Sequence, residues 1–182
     1  MELRTQLMVL GLVAVAWAGG RWVRVRPVLD AAREAERMSL GALEAKLAQH
    51  PTDVVVTRVL LRRYLDHGMP RLVVDTAHRA PGRVQQDGAV SLCQARAEEA
   101  LGNVETAYGL TNAALGRCAT VPEELADGAG CDVRTQTELA FENAALERMR
   151  EWHISPVTDP RRASLAHELA SRPVRISARV TN

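Results

Sequence analysis

Apolar residues recur at helical spacing along most of the chain, and prolines, glycines and short polar stretches interrupt them. PVLDAAREAERM, residues 27–38, opens on a proline suited to the first turn of a helix. LGALEAKLAQH follows and is closed by the PTD stretch at Pro51. VVVTRVLLRRYLDHG runs to Gly68, which readily takes a left-handed cap conformation. PRLVVDTAHRA begins at Pro70 and stops before Pro81 and Gly82, and GAVSLCQARAEEALG stops at Gly102. NVETAYGLTNAALGRC opens on Asn103, a good N-cap residue. Beyond CATVPEELADGAGC, the stretch VRTQTELAFENAALERMREW carries Leu139, Leu146, Met149 and Trp152 at helical spacing. Thr135 and Glu138 have capping-box spacing at its start. Asp159 and Pro160 open a last short helix through Leu165 and Leu169. Strand-like alternation occurs only in VRISARV near the end.

Gly68 and Gly102 lie 34 residues apart, and each ends one predicted helix just before another begins. The same offset relates Val73 to Ala107 and Ala80 to Ala114, small residues that let two helices approach closely. This spacing resembles the tetratricopeptide repeat, a 34-residue helix-turn-helix unit. Gly102, Ala107 and Ala114 match its turn and packing positions, as do Gly68 and Ala80, with Val73 in place of an alanine and Tyr64 at a favoured tyrosine position. Pro51 falls at the repeat-ending proline of a degenerate earlier unit, and the frame is lost after residue 120. The resemblance implies an all-α, TPR-like hairpin array of about two to three repeats with C-terminal capping helices. An ordinary helical bundle is the alternative.

Three parts are expected: a signal or anchor helix over 1–26, a TPR-like domain over 27–172 and an extended tail over 173–182. Thr5–Gly20 carries no charge and as a helix spans ~24 Å, which Trp22, Val23 and Val25 lengthen toward a bilayer core. Contact with a membrane is therefore expected through residues 5–25. The same run fits a secretory signal with Ala16-Trp17-Ala18 as its cleavage site, or a buried core helix. The tail suits a strand added to a partner's sheet edge, and an unstructured terminus is the alternative.

Composition adds mostly exclusions. The net charge is +1 and aromatics are 3%, so neither a basic field nor stacking platforms point to nucleic acid. Arg21, Arg24 and Arg26 after the apolar run favour a cytoplasmic body if the segment is retained. Cys118 and Cys131 favour export: they bracket a polar loop with Pro122, Gly128 and Gly130, and a bridge between them would persist in an oxidising compartment. Cys93 reads as a small buried hydrophobe with a free thiol. None of His50, His67, His78, His153 and His167 stands in a metal-ligand spacing, and no phosphate-loop, nucleophile-elbow or dinucleotide motif occurs. Glu98-Glu99 and Glu123-Glu124 are adjacent and read as solvated surface.

No catalytic residue, metal, cofactor or small-molecule substrate is therefore expected, and the chain does not read as an enzyme. The repeat resemblance places Arg58, Arg62 and Arg96 on the concave groove, where guanidinium groups could hold a partner's carboxylates. The expected function is a non-catalytic protein-binding scaffold at the inner membrane with its body in the periplasm, or alternatively in the cytoplasm. It would assist assembly or stability of a cell-envelope protein complex. The second reading is a small structural subunit of a membrane complex, held by its N-terminal helix.

Overall fold

Short oxygen-bearing side chains start the helices. Asp53, Asp87 and Asp132 each accept a hydrogen bond at 3.0 Å from the backbone N–H three residues on, and Ser39 does the same at 3.3 Å. Each satisfies one of the N–H groups that a helix start leaves without an internal partner. Val133–Glu151 thus starts from Asp132, three residues before the expected capping box, and the Thr135 hydroxyl donates back to Asp132 at 2.8 Å. Asn103 occupies the N-cap position without capping, and its side-chain amide donates to Glu98 Oε2 at 2.7 Å.

The computed structural model describes residues 30–171, apart from the side chains of residues 123 and 124. The apolar N-terminal run and the alternating tail lie outside these residues. Among the described residues the chain is all-helical, with no strand, and no helix is long and apolar enough to cross a membrane. In order come α1 (30–37), α2 (Leu40–Gln49), α3 (Val54–Asp66), α4 (Pro70–Arg79), the single turn α5 (Gly82–Gln85) and α6 (Gly88–Ala100). Then follow α7 (Val104–Cys118), the single turn α8 (Glu123–Ala126), α9 (Val133–Glu151) and α10 (Pro160–Ser171).

Four turns share one hydrogen-bond pattern. After α3, Met69 N–H reaches Tyr64 O at 2.8 Å and Gly68 N–H reaches Leu65 O at 2.9 Å. Asn103 to Glu98 and Gly102 to Glu99 repeat this after α6, both at 2.8 Å. Cys131 to Ala126 with Gly130 to Asp127, and Ile154 to Met149 with His153 to Arg150, repeat it again. This closure needs one residue at positive φ. Gly68 (67°), Gly102 (89°) and Gly130 (65°) supply it at three turns, and His153 supplies it after α9 at 52°. His153→Gly is therefore expected to stabilise the protein by ~0.5–1 kcal/mol, because a side chain in the left-handed region costs more than glycine's extra unfolded-state freedom. Gly102→Val should lower stability by roughly 2 kcal/mol, since any Cβ there also meets Val157 Cγ2 at 3.2 Å. Urea denaturation of both variants checks the pair.

Packing proceeds along the chain. Helix α3 packs on α2, α4 and α6; α6 also packs on α4, α7 and α9; α7 packs on α9, and α9 on α10. Leu43, Val56, Leu60, Leu61, Val73 and Val84 fill a core under the first helices. A second core joins Ala95, Ala107, Ala145, Leu146, Met149, Ala163 and Ala166 across α6, α7, α9 and α10. Ala107 and Ala114, at the expected packing positions, are 0% exposed. A third cluster, of Leu92, Ala114, Cys118, Cys131 and Leu139, sits beneath the loop after α7. That loop adds Val121, Ala126 and Ala129 to the cluster, so it is less purely polar than its sequence suggests.

Candidate functional site

Arg58, Arg62 and Arg96 stand in three different situations. Arg62 is exposed on α3. Arg58 makes a paired contact with Asp87: its Nε donates to Oδ1 at 2.9 Å, and a second guanidinium nitrogen donates to Oδ2. It also reaches the backbone carbonyls of Asp127 and Gly128, each at 3.4 Å. Arg96 spans α6 to α9, donating to Glu142 Oε2 at 3.3 Å and to Glu138 Oε2 at 3.2 Å. Two of the three charges are thus matched by carboxylates within the protein. Arg62 and Arg96 flank Cys93, whose thiol burial pushes up to about 11 despite both guanidinium groups. A thiol held so far from its thiolate is a poor nucleophile.

Cys118 and Cys131 are at disulfide distance, with Cα atoms 5.3 Å apart, inside the ~7 Å that a bridge requires. Both are buried. Gly88 presses on them from α6: a Cβ there would lie 2.3 Å from Gly130 O and 3.2 Å from Cys118 Sγ. The Gly88 N–H also donates to Ala129 O at 2.9 Å. Start of α6, loop and cysteine pair therefore form one tightly fitted junction.

Among the described residues a buried titratable cluster joins α6, α9 and α10. Glu99 Oε1 lies 2.7 Å from His167 Nε2, and Glu142 completes the group; one donor atom from each residue lies within 4.8 Å of the others. Glu99 and Glu142 are only 8% and 3% exposed, so this is charge taken out of water. Burial, then the neighbouring Glu99, pushes the Glu142 carboxyl up to about 7 against the pull of Arg96. Burial also acts to raise Glu99, but hydrogen bonds from His167 and Glu142 outweigh it and hold that carboxyl below its ordinary range. The Glu99 hydrogen bond raises His167. Phe141 flanks the imidazole with ring centroids 5.7 Å apart. Glu142 Oε1 is buried without a hydrogen-bond donor, a need that a proton shared with Glu99, an ordered water or a bound cation would meet.

Sequence reasoning passed over this cluster. Glu98 and Glu99 do lie on different helix faces, but α6 is enclosed on several sides, and both are buried rather than solvated. Glu98 meets Asn103 and Glu99 meets His167. His167 stands 68 residues from Glu99, outside any local ligand spacing. The usable signal was the polar content of α6, a helix with helices due on either side of it.

An open cleft of about 300 Å³ lies between α2, α3 and α4, lined by Leu47, Leu60 and Tyr64, with Glu44 and Arg79. Tyr64 donates to Glu44 at 2.7 Å, and burial followed by that contact pushes its hydroxyl up to about 12. No family model, curated protein or solved structure matches the chain.

Proposed function

We propose that the chain is a non-catalytic protein-binding scaffold, a TPR-like array whose body sits in the periplasm at the inner membrane. It assists assembly or stability of a cell-envelope protein complex. The observation that carries this reading is the order of packing: hairpins α3–α4, α6–α7 and α9–α10 follow one another, each resting on its predecessor. Arrays of this kind offer an extended face rather than an enclosed pocket. Arg62, exposed on the first helix of its hairpin, is the anchor for a carboxylate of the partner. The uncharged run Thr5–Gly20 and the cysteine pair at disulfide distance support the envelope location. The same run supports the second reading, a structural subunit held among other spanning helices.

Crosslinking the full chain in native membranes, followed by affinity capture and mass spectrometry, tests the proposal. The expected result is a defined protein partner whose recovery falls at least several-fold with Arg62→Glu. Equal recovery of every partner with that variant would remove Arg62 from the binding face. Capture of no protein above a tag-only control would end the scaffold reading.

A further inference from the structure

We propose that Glu99, Glu142 and His167 bind one divalent transition-metal cation of the zinc class, clipping α10 to α6 and α9. Three observations carry this. First, the donors are two carboxylate oxygens and one imidazole nitrogen, gathered within 4.8 Å from three separate helices. That mixture suits a borderline cation such as Zn²⁺, which is bound by three protein ligands and keeps a further position for water where the site is open. The side chain of His167 is 30% exposed, so the cluster has a side open to solvent.

Second, Glu142 Oε1 has no donor although Glu142 is only 3% exposed. A buried carboxylate oxygen left without a partner is costly, and a cation supplies one. The other oxygen, Oε2, is already fixed by Arg96 Nε at 3.3 Å. A ligating carboxylate oriented through its second oxygen is the usual outer support of a metal site.

Third, the cluster keeps an excess of negative charge. Glu99, Glu138 and Glu142 face the guanidinium groups of Arg96 and Arg134, so with His167 neutral one carboxylate charge is left for a cation. The competing occupant is a proton shared between Glu99 and Glu142, with His167 ionised. The two differ in what the protein takes up.

The test uses the full chain, kept non-reducing, stripped with a chelator and titrated with zinc chloride at neutral pH by calorimetry. One equivalent is expected to bind. Glu142→Gln and His167→Ala should each weaken binding by more than about 100-fold. Glu138→Gln, which alters only the outer support, should weaken it by roughly 10-fold. Histidine NMR of the unmodified protein guards against variants that fail to fold: zinc should shift the His167 imidazole and leave the other four histidines unchanged. No stoichiometric zinc binding would overturn the proposal in favour of the shared proton. Binding that survives both ligand variants, or a shift centred on another histidine, would also overturn it.

Discussion

Arg58→Ala is expected to lower the unfolding free energy by about 3 kcal/mol. The arginine itself is a quarter exposed, but its partner is not: the Asp87 side chain is 2% exposed. Removing one member of such a pair leaves an uncompensated buried charge, and costs of ~3–5 kcal/mol are typical. Asp87 keeps its cap bond to Val90 N–H at 3.0 Å, which places the estimate at the lower end. The loop carbonyls of Asp127 and Gly128 lose a donor in the same change. For a protein of this size the midpoint of thermal unfolding should fall by on the order of 10 °C. Arg58→Ala/Asp87→Ala should cost less than the two single changes added together, because no buried charge is then stranded. A loss below about 0.5 kcal/mol for Arg58→Ala would mean that the helix cap alone satisfies Asp87.

Gly88→Ala should cost about as much, roughly 3 kcal/mol, through steric fit rather than charge. A methyl group at residue 88 would stand 2.3 Å from the Gly130 carbonyl oxygen, and that neighbour is backbone, which cannot rotate aside. Moving the oxygen means moving residues 129–131, where Gly130 is itself pressed against Asp87 Oδ1 and joined to the cysteine pair. Gly41→Ala is the control. It lies in α2 with nothing within 4 Å of the added carbon, so helix propensity alone predicts a gain of ~0.5–1 kcal/mol. Chemical denaturation of both variants decides the matter, and equal stability of the two would show that the loop yields freely.

Helix positions were largely legible in the sequence because their limits are set locally. Pro70, Gly68 and Gly102 act through their own backbone preferences, and those need no knowledge of the tertiary fold. The α9–α10 hairpin escaped the repeat frame because the loop and single turn between α7 and α9 push its turn beyond the 34-residue offset, and that turn uses His153 where the earlier turns use glycine. The start of α9 at Val133 was legible, but its cap is Asp132 rather than Thr135. Side-chain pairing was the illegible layer. Arg58 meets Asp87 across 29 residues and Arg96 meets Glu142 across 46, and no periodicity records which charge on one helix will face which on another. The same holds for Glu99 and His167, so a candidate site built from three helices had no linear signature.

The packing of each helix on its neighbours along the chain has a consequence for the order in which the protein acquires its shape. Contacts close in sequence form quickly, and a chain emerging from the ribosome can use them before its remainder exists. Helices α3, α4 and α6 can settle on one another, with Arg58 already on Asp87, before residue 127 has emerged. The loop carbonyls that complete the Arg58 contact arrive 69 and 70 residues later. Cys131 then comes to Cys118 over a framework that is already built, so the thiol chemistry would seal the junction at Gly88 rather than guide the chain to it.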